Sequence, residues 1–212
     1  MSKQKDKTKE TDSVILLLVE GETEVYFYKL LIKNIRDINN APFSCEIEYK
    51  NIKGIGKYTN DALRRFDDVK RKYPHRHIEV ILCYDTDVFE LSKKPPVDMK
   101  ALAKVLFGAG AHEIIHVKAK SSIEDWFILD WYGVLKHLRL NKRTKRPAGK
   151  GKQVLKNAFL KANRVYVKGG KNEGFIDSLN IETIRREICK NIQPLCHRLG
   201  IDCNDICKEM KT

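Results

Sequence analysis

Apolar runs alternate along the chain with segments whose apolar residues recur at helical spacing. Six consecutive apolar residues at positions 14–19 predict a strand that is buried on both faces. The apolar run at 78–84 predicts a second buried strand, and the alternating segment 45–52 predicts a strand with one buried face. Two shorter strands are predicted at 113–117 and 165–167.

Helices are predicted between these strands, because apolar residues recur there every three or four positions. The predicted helices cover residues 23–35, 58–73, 99–107 (capped by Asp98), 123–137 and 153–162, and a further helical stretch follows residue 171. Strands alternate with helices as far as residue 167. We therefore predict an α/β fold with right-handed βαβ crossovers and a mostly parallel sheet flanked by helices.

Length and composition suggest one domain with an extension. The 212 residues are 42% hydrophobic, which is enough for a core. Residues 1–12 are polar and of mixed charge, so we expect a flexible tail. We expect the main domain at 13–135, and at 136–212 a basic loop and a helical C-terminal extension that complete it. No apolar run is long enough for a bilayer and no signal-peptide pattern is present, so we expect a cytoplasmic protein without a membrane partner.

The cysteines do not form a zinc-site pattern. Cys83 lies inside an apolar strand, which indicates a reduced thiol in the core. Four further cysteines near the C-terminus lack the close CxxC pairs of structural zinc sites. These four are Cys189, Cys196, Cys203 and Cys207. We expect buried thiols there, and a zinc site is the less favoured alternative.

The positive charge of the chain lies in one segment. The net charge is +13, and residues 131–172 contain 13 Lys or Arg and no Asp or Glu, while the rest of the chain is neutral. This asymmetry favours a polyanion such as nucleic acid as the partner; a solubilising surface loop is the alternative. Residues 141–152 are too polar and broken to pack, so we expect a mobile loop. The cations expected to contact nucleic acid are Lys142, Arg143, Lys145, Arg146, Lys150, Lys152 and Lys171.

Acidic residues follow the two strands that are predicted to be most buried. Glu20 and Glu24 lie four positions apart after the first strand, and Asp85 and Asp87 follow the second. The carboxyl ends of parallel strands share one edge, where α/β proteins bind ligands, so the four carboxylates should converge. Converging carboxylates need a counter-charge, which Mg²⁺ or Mn²⁺ supplies. The structural alternative is that each acid caps a helix or a turn.

A glycine-rich turn, Gly54-Ile55-Gly56-Lys57, lies between a predicted strand and a predicted helix. Such a turn at the start of a helix can hold a phosphate. The spacing matches neither the P-loop nor the dinucleotide-binding pattern, so a tight turn is the preferred interpretation.

The two acidic motifs together resemble the Toprim domain. Residues 18–24 read Leu-Val-Glu-Gly-Glu-Thr-Glu and residues 84–87 read Tyr-Asp-Thr-Asp. A Glu after the first strand and a later DxD is the pattern shared by topoisomerases, DnaG-type primases, OLD-family nucleases and RloB-like proteins, and the first motif is most similar to the OLD and RloB branches. The resemblance covers about residues 14–131. It implies a Toprim-like, Rossmann-like catalytic domain in which Glu20, Glu24, Asp85 and Asp87 bind metal.

The resemblance also points to an acid at the start of a later helix. Related nucleases carry an acid there that serves a second metal. Residues 121–127 open a predicted helix in this way, with Glu124 as the best match and Asp125 as the second. The structural alternative is a capping box in which Ser121 or Ser122 is the N-cap.

A late lysine completes the residues that the resemblance implies. OLD nucleases use such a lysine, and Lys168 is the match here, with Lys171 behind it. A lysine near a scissile phosphate would offset the negative charge that develops in the transition state. A generic phosphate contact is the alternative for a lysine in a basic loop.

These features predict a metal-dependent nuclease that cuts DNA or RNA, including tRNA. One or two Mg²⁺ or Mn²⁺ ions would be held by the acids, and Glu20, Asp85, Asp87 and Lys168 would take part in catalysis. The resemblance implies anti-phage defence and a partner ATPase, and a homodimer is left open. The alternative is a non-catalytic module that binds nucleic acid or a partner through a degenerate site. A receiver-like phosphoacceptor at Asp85 is less favoured, because it leaves the first acidic motif unexplained.

The middle acid of the first motif provides a test of the ligand assignment. Glu22 is not among the proposed ligands, so Glu22→Ala should lower nuclease activity far less than Glu20→Ala. Initial cleavage rates at equal metal and substrate concentrations measure the difference. Equal losses would contradict the assignment.

Overall fold

A four-stranded parallel sheet forms the centre of the molecule. The structure is a computed structural model and describes residues 12–39, 45–91, 94–170 and 172–201. Within these residues the strands β1 (Ser13–Val19), β2 (Cys45–Asn51), β3 (His77–Asp85) and β4 (Glu113–Ala119) pair in the order β2-β1-β3-β4. All pairs are parallel. The fold is therefore α/β and consistent with a Rossmann-like fold, and four of the five predicted strands are confirmed.

Helices cover both faces of the sheet. They are α1 (Glu22–Asn39), α2 (Tyr58–Lys72), α3 (Asp87–Leu91), α4 (Met99–Gly108), α5 (Ile123–Phe127), α6 (Trp131–Leu138), α7 (Gly151–Lys161), α8 (Glu173–Ile176), α9 (Ile181–Glu187) and α10 (Cys189–Arg198). A short 3-10 helix, Ile55–Lys57, leads directly into α2, so the glycine-rich sequence there is a tight turn, as predicted. Asp98 caps α4 by accepting hydrogen bonds from two backbone N–H groups, also as predicted.

Strand β1 is buried on both faces. Its alternate residues contribute to two separate cores, because successive side chains in a strand point to opposite faces. Leu16 and Leu18 pack in the core that lies under α2 and α4. Ile15 and Leu17 pack in the larger core on the other face, which includes α1. Residues 14–19 are fully inaccessible, and burial of each such side chain contributes about 1.5–3 kcal/mol.

The helices after β4 join the larger core. Its buried residues run from Ile15 to Ile201 and include Phe127, Phe175 and Ile192. Polar contacts add to this packing at two points. Arg198 in α10 forms an ion pair with the buried Glu79 in β3. The Arg185 side chain in α9 donates a hydrogen bond to Asn34 in α1 at 3.0 Å. The C-terminal helices therefore bury the same face of the sheet as α1.

The single helix predicted at 123–137 is wrong. The segment instead contains α5, a 3-10 helix at Ile128–Asp130, and α6. The break occurs at Asp130, which is buried and whose side chain accepts hydrogen bonds from the N–H of Gly133 and the N–H of Asn180. A Cβ at Gly133 would lie 2.8 Å from the carbonyl oxygen of Ser178, so this corner has no room for a side chain at position 133. The prediction of one helix was based on the spacing of apolar residues, and that spacing gives no sign of a buried carboxylate that caps a second helix.

The strand predicted at 165–167 is also wrong. Among the described residues this segment pairs with no strand, and Val165 and Val167 are 76% and 57% exposed. Only Tyr166 is buried: its ring packs against Phe159 and Phe175, and its hydroxyl donates a hydrogen bond to Glu124. The three residues are thus a connection that is held by one buried side chain. Helix α7 also begins two residues earlier than predicted, at Gly151.

The prediction of buried thiols holds at two of the described cysteines and fails at a third. Cys83 and Cys196 are buried, as predicted. Cys189 is disulfide-bonded, so the expectation of a thiol is wrong there. Cys203 and Cys207 lie outside the described residues, as does most of the tail at 1–12.

None of the helices in the described part of the chain has the length and apolar character that crossing a membrane requires.

The corner at Asp130 should be important for stability. Asp130→Ala removes an N-cap and leaves the N–H of Asn180 without its partner, so we expect a loss of about 2–3 kcal/mol in the free energy of unfolding. Asp98→Ala, which removes an exposed cap, should cost only about 1 kcal/mol. Urea denaturation of both variants measures the contrast. A loss for Asp130→Ala no larger than that for Asp98→Ala would contradict this role.

Candidate active site

The two acidic motifs meet at the carboxyl edge of the sheet. Strands β1 and β3 are parallel neighbours in which Leu18 pairs with Leu82, so both end at the same edge of the sheet, with β3 extending two residues further. The carboxylate of Glu20 accepts a hydrogen bond from the backbone N–H of Asp85 at 3.1 Å. The parallel register therefore brings the two motifs together, although 65 positions separate these residues in the sequence.

Glu24 reaches back over the strand end from the first turn of α1. It is 95% buried, and a Cβ at Gly21 would lie 2.6 Å from its Oε2 atom. The same Cβ would lie 2.7 Å from the Cα atom of Gly169. Glycine at position 21 is therefore required both by Glu24 and by the loop that crosses the strand end. Glu22 points away, is exposed, and accepts a hydrogen bond from Asn51 at 2.7 Å.

Asp85 is the most extensively bonded acid of the site. It is 4% exposed, and its Oδ1 atom accepts a hydrogen bond from the N–H of Ile123 at 2.8 Å. Its Oδ2 atom lies 2.6 Å from the Nζ atom of Lys168 in an ion pair. The structure therefore places the late lysine next to the first acid of the DxD motif. Asp87 follows on α3, where its N–H donates to the carbonyl oxygen of Ser121 at 3.0 Å.

The two acids at the start of α5 have different surroundings. Glu124 is fully buried, and its Oε1 atom accepts a hydrogen bond from the Tyr166 hydroxyl at 3.1 Å. Asp125 instead accepts hydrogen bonds from the N–H and hydroxyl of Ser122, at 3.2 and 3.0 Å, and from the N–H of Gly151 at 2.8 Å. Asp125 thus has the capping function that was the structural alternative. Glu124 belongs to the acidic cluster.

Within the part of the chain that the structure describes, three buried carboxylate oxygens of this cluster have no hydrogen-bond partner. They are Oε2 of Glu24, Oδ1 of Asp87 and Oε2 of Glu124. A buried polar atom without a partner costs free energy, so such atoms call for an explanation. Three of them around one strand end indicate that the site is built to receive a group that donates hydrogen bonds or carries positive charge.

Burial changes the acidity of the cluster. Burial raises the pKa of Glu24 to about 7, and the neighbouring carboxylates of Asp85, Glu20 and Glu124 raise it as well. Burial also raises the pKa of Asp85 to about 7, against the opposing effect of Lys168. The pKa of Glu20 is raised in the same direction by burial. The carboxylates thus lie close enough to repel one another electrostatically.

Lys168 is held in its charged form by this cluster. Burial lowers the pKa of its amine, but the carboxylates of Asp85, Glu124 and Glu20 outweigh that effect and the pKa is raised. Its ammonium group therefore supplies part of the positive charge that the buried acids need.

The cluster has the donor chemistry of a divalent-metal site. Among the described residues no three His, Cys, Asp or Glu side chains are arranged as a ligand set. The donors are nevertheless all carboxylate oxygens, which Mg²⁺ and Mn²⁺ prefer, and three buried oxygens have no partner. The residues therefore fit a hard divalent cation in their chemistry, with Lys168 as a competing cation at Asp85.

A cleft of about 530 Å³ opens onto the cluster. Glu20, Glu24, Asp87 and Lys168 line one part of it. Two further lysines, Lys53 and Lys152, line it as well, together with Asn51 and Gly54. A lining that combines acids with lysines would suit a ligand that carries negative charge and binds next to a cation.

The loop that carries Lys168 is tied to the start of α1. The carbonyl oxygen of Gly169 accepts a hydrogen bond from the N–H of Glu22 at 3.2 Å. The hydroxyl of Thr23 donates to the carbonyl oxygen of Gly170 at 2.6 Å, and the Asn172 side chain donates to Thr23 at 3.0 Å. Gly169 has a φ of +69°, which favours glycine. These contacts hold Lys168 over the strand ends.

The basic loop lies on the surface, and its cations are exposed. It contains no helix or strand between residues 139 and 150, whereas residues 151 and 152, which were predicted as part of the loop, begin α7. Contacts with the domain include two hydrogen bonds: the Trp131 indole donates to the carbonyl oxygen of Thr144 at 2.8 Å, and Arg146 donates to that of Ile128 at 3.4 Å. The exposed cations are Lys142, Arg143, Lys145, Arg146, Lys150 and Lys152. Lys152 alone among them lines the cleft, and Lys171 lies outside the described residues.

Some residues of the site were not found from the sequence. Tyr166 lay in a segment predicted as a strand, so its bond to Glu124 was not foreseen. Lys53 lines the cleft, but no sequence pattern singles it out. The two consecutive glycines after Lys168 indicate a sharp turn, but they do not indicate that this turn contacts Gly21.

No protein-family model, curated protein or solved structure matches this chain. The resemblance to Toprim proteins therefore depends on the two acidic motifs. The structure adds that the two motifs lie together at the carboxyl edge of the sheet.

The raised pKa of Glu24 predicts how the metal-free protein responds to pH. A carboxyl group that is more basic when folded stabilises the fold when protonated, so this contribution is full below about pH 4.5 and is lost as the pH rises through about 7. In EDTA, we expect the melting temperature to be several degrees lower at pH 8 than at pH 5.5. Glu24→Gln should flatten this slope.

Melting curves of wild type, Glu24→Gln and Glu22→Gln test the origin of the slope. Glu22 is exposed, so Glu22→Gln is the matched control and should keep the wild-type slope. An unchanged slope in Glu24→Gln would show that this carboxyl group is not responsible.

Proposed function

We propose that the protein is a metal-dependent phosphodiesterase that cuts nucleic acid. The observation that carries the proposal is the convergence of Glu20, Glu24, Asp85 and Glu124 with Lys168 beneath a lysine-lined cleft. Three partnerless buried carboxylate oxygens support a cation at this place.

The acids and the lysine have separate roles in this proposal. Glu20, Glu24, Asp85, Asp87 and Glu124 would hold one or two Mg²⁺ or Mn²⁺ ions. When bound, such ions lower the pKa of water and stabilise charge on phosphoryl oxygens. Lys168 places an ammonium group at the edge of the cleft, where it would offset negative charge on the scissile phosphate. Tyr166 orients Glu124 by its hydrogen bond.

The exposed cations would bind the nucleic-acid backbone. Six exposed cations lie in the basic loop or, for Lys152, at the start of α7, and Lys152 connects that surface with the cleft. Contacts of this kind bind phosphates without reading the sequence and weaken steeply with salt. The substrate class is DNA or RNA, including tRNA.

The Toprim-like assignment and its biological setting are part of the same proposal. They are supported by the order of the two motifs and by the position of their acids after adjacent parallel strands. Anti-phage defence with a partner ATPase is what the resemblance implies for such a protein.

A second candidate function is a non-catalytic module that binds nucleic acid or a partner. The ion pair between Lys168 and Asp85 favours it, because the lysine already neutralises the first acid of the DxD motif. In this case the basic surface would bind its ligand and no metal would be required.

Cleavage and metal binding measured on the same variants distinguish the two. The purified protein with Mn²⁺ should cut plasmid DNA or tRNA, and Glu20→Gln and Asp85→Asn should each abolish cutting while binding to the same nucleic acid persists. Glu22→Gln, an exposed change two positions from Glu20, is the matched control and should keep activity.

The readout that does not depend on activity is thermal stability in Mn²⁺. Mn²⁺ should raise the melting temperature of the wild type and of Glu22→Gln, but not that of Asp85→Asn. Nucleic-acid binding without cutting, and without any stabilisation by Mn²⁺ or Mg²⁺, would favour the non-catalytic module.

A further inference from the structure

A second pocket lies beside the DxD turn. It has a volume of about 570 Å³ and is distinct from the cleft over the acids. Its floor is apolar and consists of Tyr84, Phe89, Val97 and Met99. The rings of Tyr84 and Phe89 meet edge to face, with centroids 5.4 Å apart. No role in the proposed chemistry involves these side chains. We call this cavity the aromatic pocket.

Lysines surround the opening of the aromatic pocket. Lys94, Lys100 and Lys118 line it and are exposed. The acid among the lining residues is Asp98, whose carboxylate is engaged as the N-cap of α4. The pocket therefore combines an apolar aromatic floor with a positive rim. A nucleotide has the complementary chemistry, because its base is flat and apolar on both faces and its phosphate is negative.

The position of the aromatic pocket connects it with the proposed reaction. Tyr84 directly precedes Asp85, and Thr86, which separates the two acids of the DxD motif, lines the pocket. Asp87 lines the cleft instead. Residues of the turn between β3 and α3 therefore line both cavities, which share no lining residue. One strand of nucleic acid could occupy both, with a phosphate in the cleft and a neighbouring base in the pocket.

We infer that the aromatic pocket binds one unpaired nucleotide of the substrate strand, next to the phosphate in the cleft. The base lies against Phe89 and Tyr84, and its phosphate is bound by the lysines of the rim. The inference depends on the proposed function in that the ligand is nucleic acid, and it narrows the substrate to single-stranded or locally unpaired sites. A base within a duplex is stacked and paired, so it does not enter.

Binding measurements without metal test the inference. In EDTA, the dissociation constants of a fluorescent single-stranded oligonucleotide and of the same sequence as a duplex are measured by anisotropy. Phe89→Ala should weaken binding of the single strand at least about fivefold and leave duplex binding unchanged, since stacking on an aromatic ring contributes strongly to single-strand affinity. Phe107→Ala, an exposed phenylalanine on α4 that does not line the pocket, is the matched control.

An abasic strand of the same length separates base contacts from phosphate contacts. It carries the phosphates without the bases, so Phe89→Ala should not weaken its binding. Lys100→Glu should weaken the intact single strand more than Lys104→Glu does, although both remove an exposed lysine of α4. This pair of charge changes also keeps the inference testable if Phe89→Ala fails to fold.

Four results would overturn the inference. The first is an equal effect of Phe89→Ala and Phe107→Ala on binding of the single strand, and the second is an equal weakening of single-strand and duplex binding by Phe89→Ala. The third is an equal effect of Lys100→Glu and Lys104→Glu on single-strand binding. The fourth is tighter binding of free AMP than of the oligonucleotide. The last result would assign the pocket to a mononucleotide. Because no cleavage is measured, a failure of the proposed reaction leaves these outcomes unaffected, and the reverse also holds.

Discussion

The structure depends on a concentration of buried negative charge that needs a positive partner. Glu24, Asp85 and Glu124 are each at least 95% buried around the end of one strand. Carboxylates cannot all ionise in such surroundings without compensation, and the raised pKa values of Glu24 and Asp85 are the consequence. Lys168 supplies one charge through its ion pair with Asp85. The partnerless oxygens on three of the acids show that this compensation is incomplete.

The rest of the fold keeps that arrangement in place. Strand β1 is buried on both faces, so its end cannot move away from β3. There is no room for a side chain at Gly21, between Glu24 and the loop at Gly169, and three hydrogen bonds attach that loop to the first turn of α1. The C-terminal helices belong to the same core as α1. The position of Lys168 therefore depends on the core that contains both α1 and the C-terminal helices.

Two cavities with different linings meet the turn between β3 and α3 at the carboxyl edge of the sheet. The cleft combines acids with lysines, whereas the aromatic pocket combines an apolar floor with lysines. Residues of this turn line both cavities, so a single extended ligand that occupied both would contact charged groups in the cleft and aromatic rings in the pocket. The exposed cations of the basic loop extend the positive surface beyond the cleft through Lys152.

The sequence by itself determined the elements whose signal is local. Runs and alternation of apolar residues located four strands, and parallel pairing followed from their alternation with helices. Glu20, Glu24, Asp85 and Asp87 were found because they follow buried strands, whereas Glu124 was found through the resemblance to related nucleases. Only the tertiary structure decided that 123–137 breaks at Asp130, that Tyr166 is a buried hydrogen-bond donor and not part of a strand, and that Lys53 lines the cleft. Those features depend on partners 40 or more positions away in the chain, such as Asn180 for Asp130 and Glu124 for Tyr166. Contacts at that distance leave no periodic trace in the sequence.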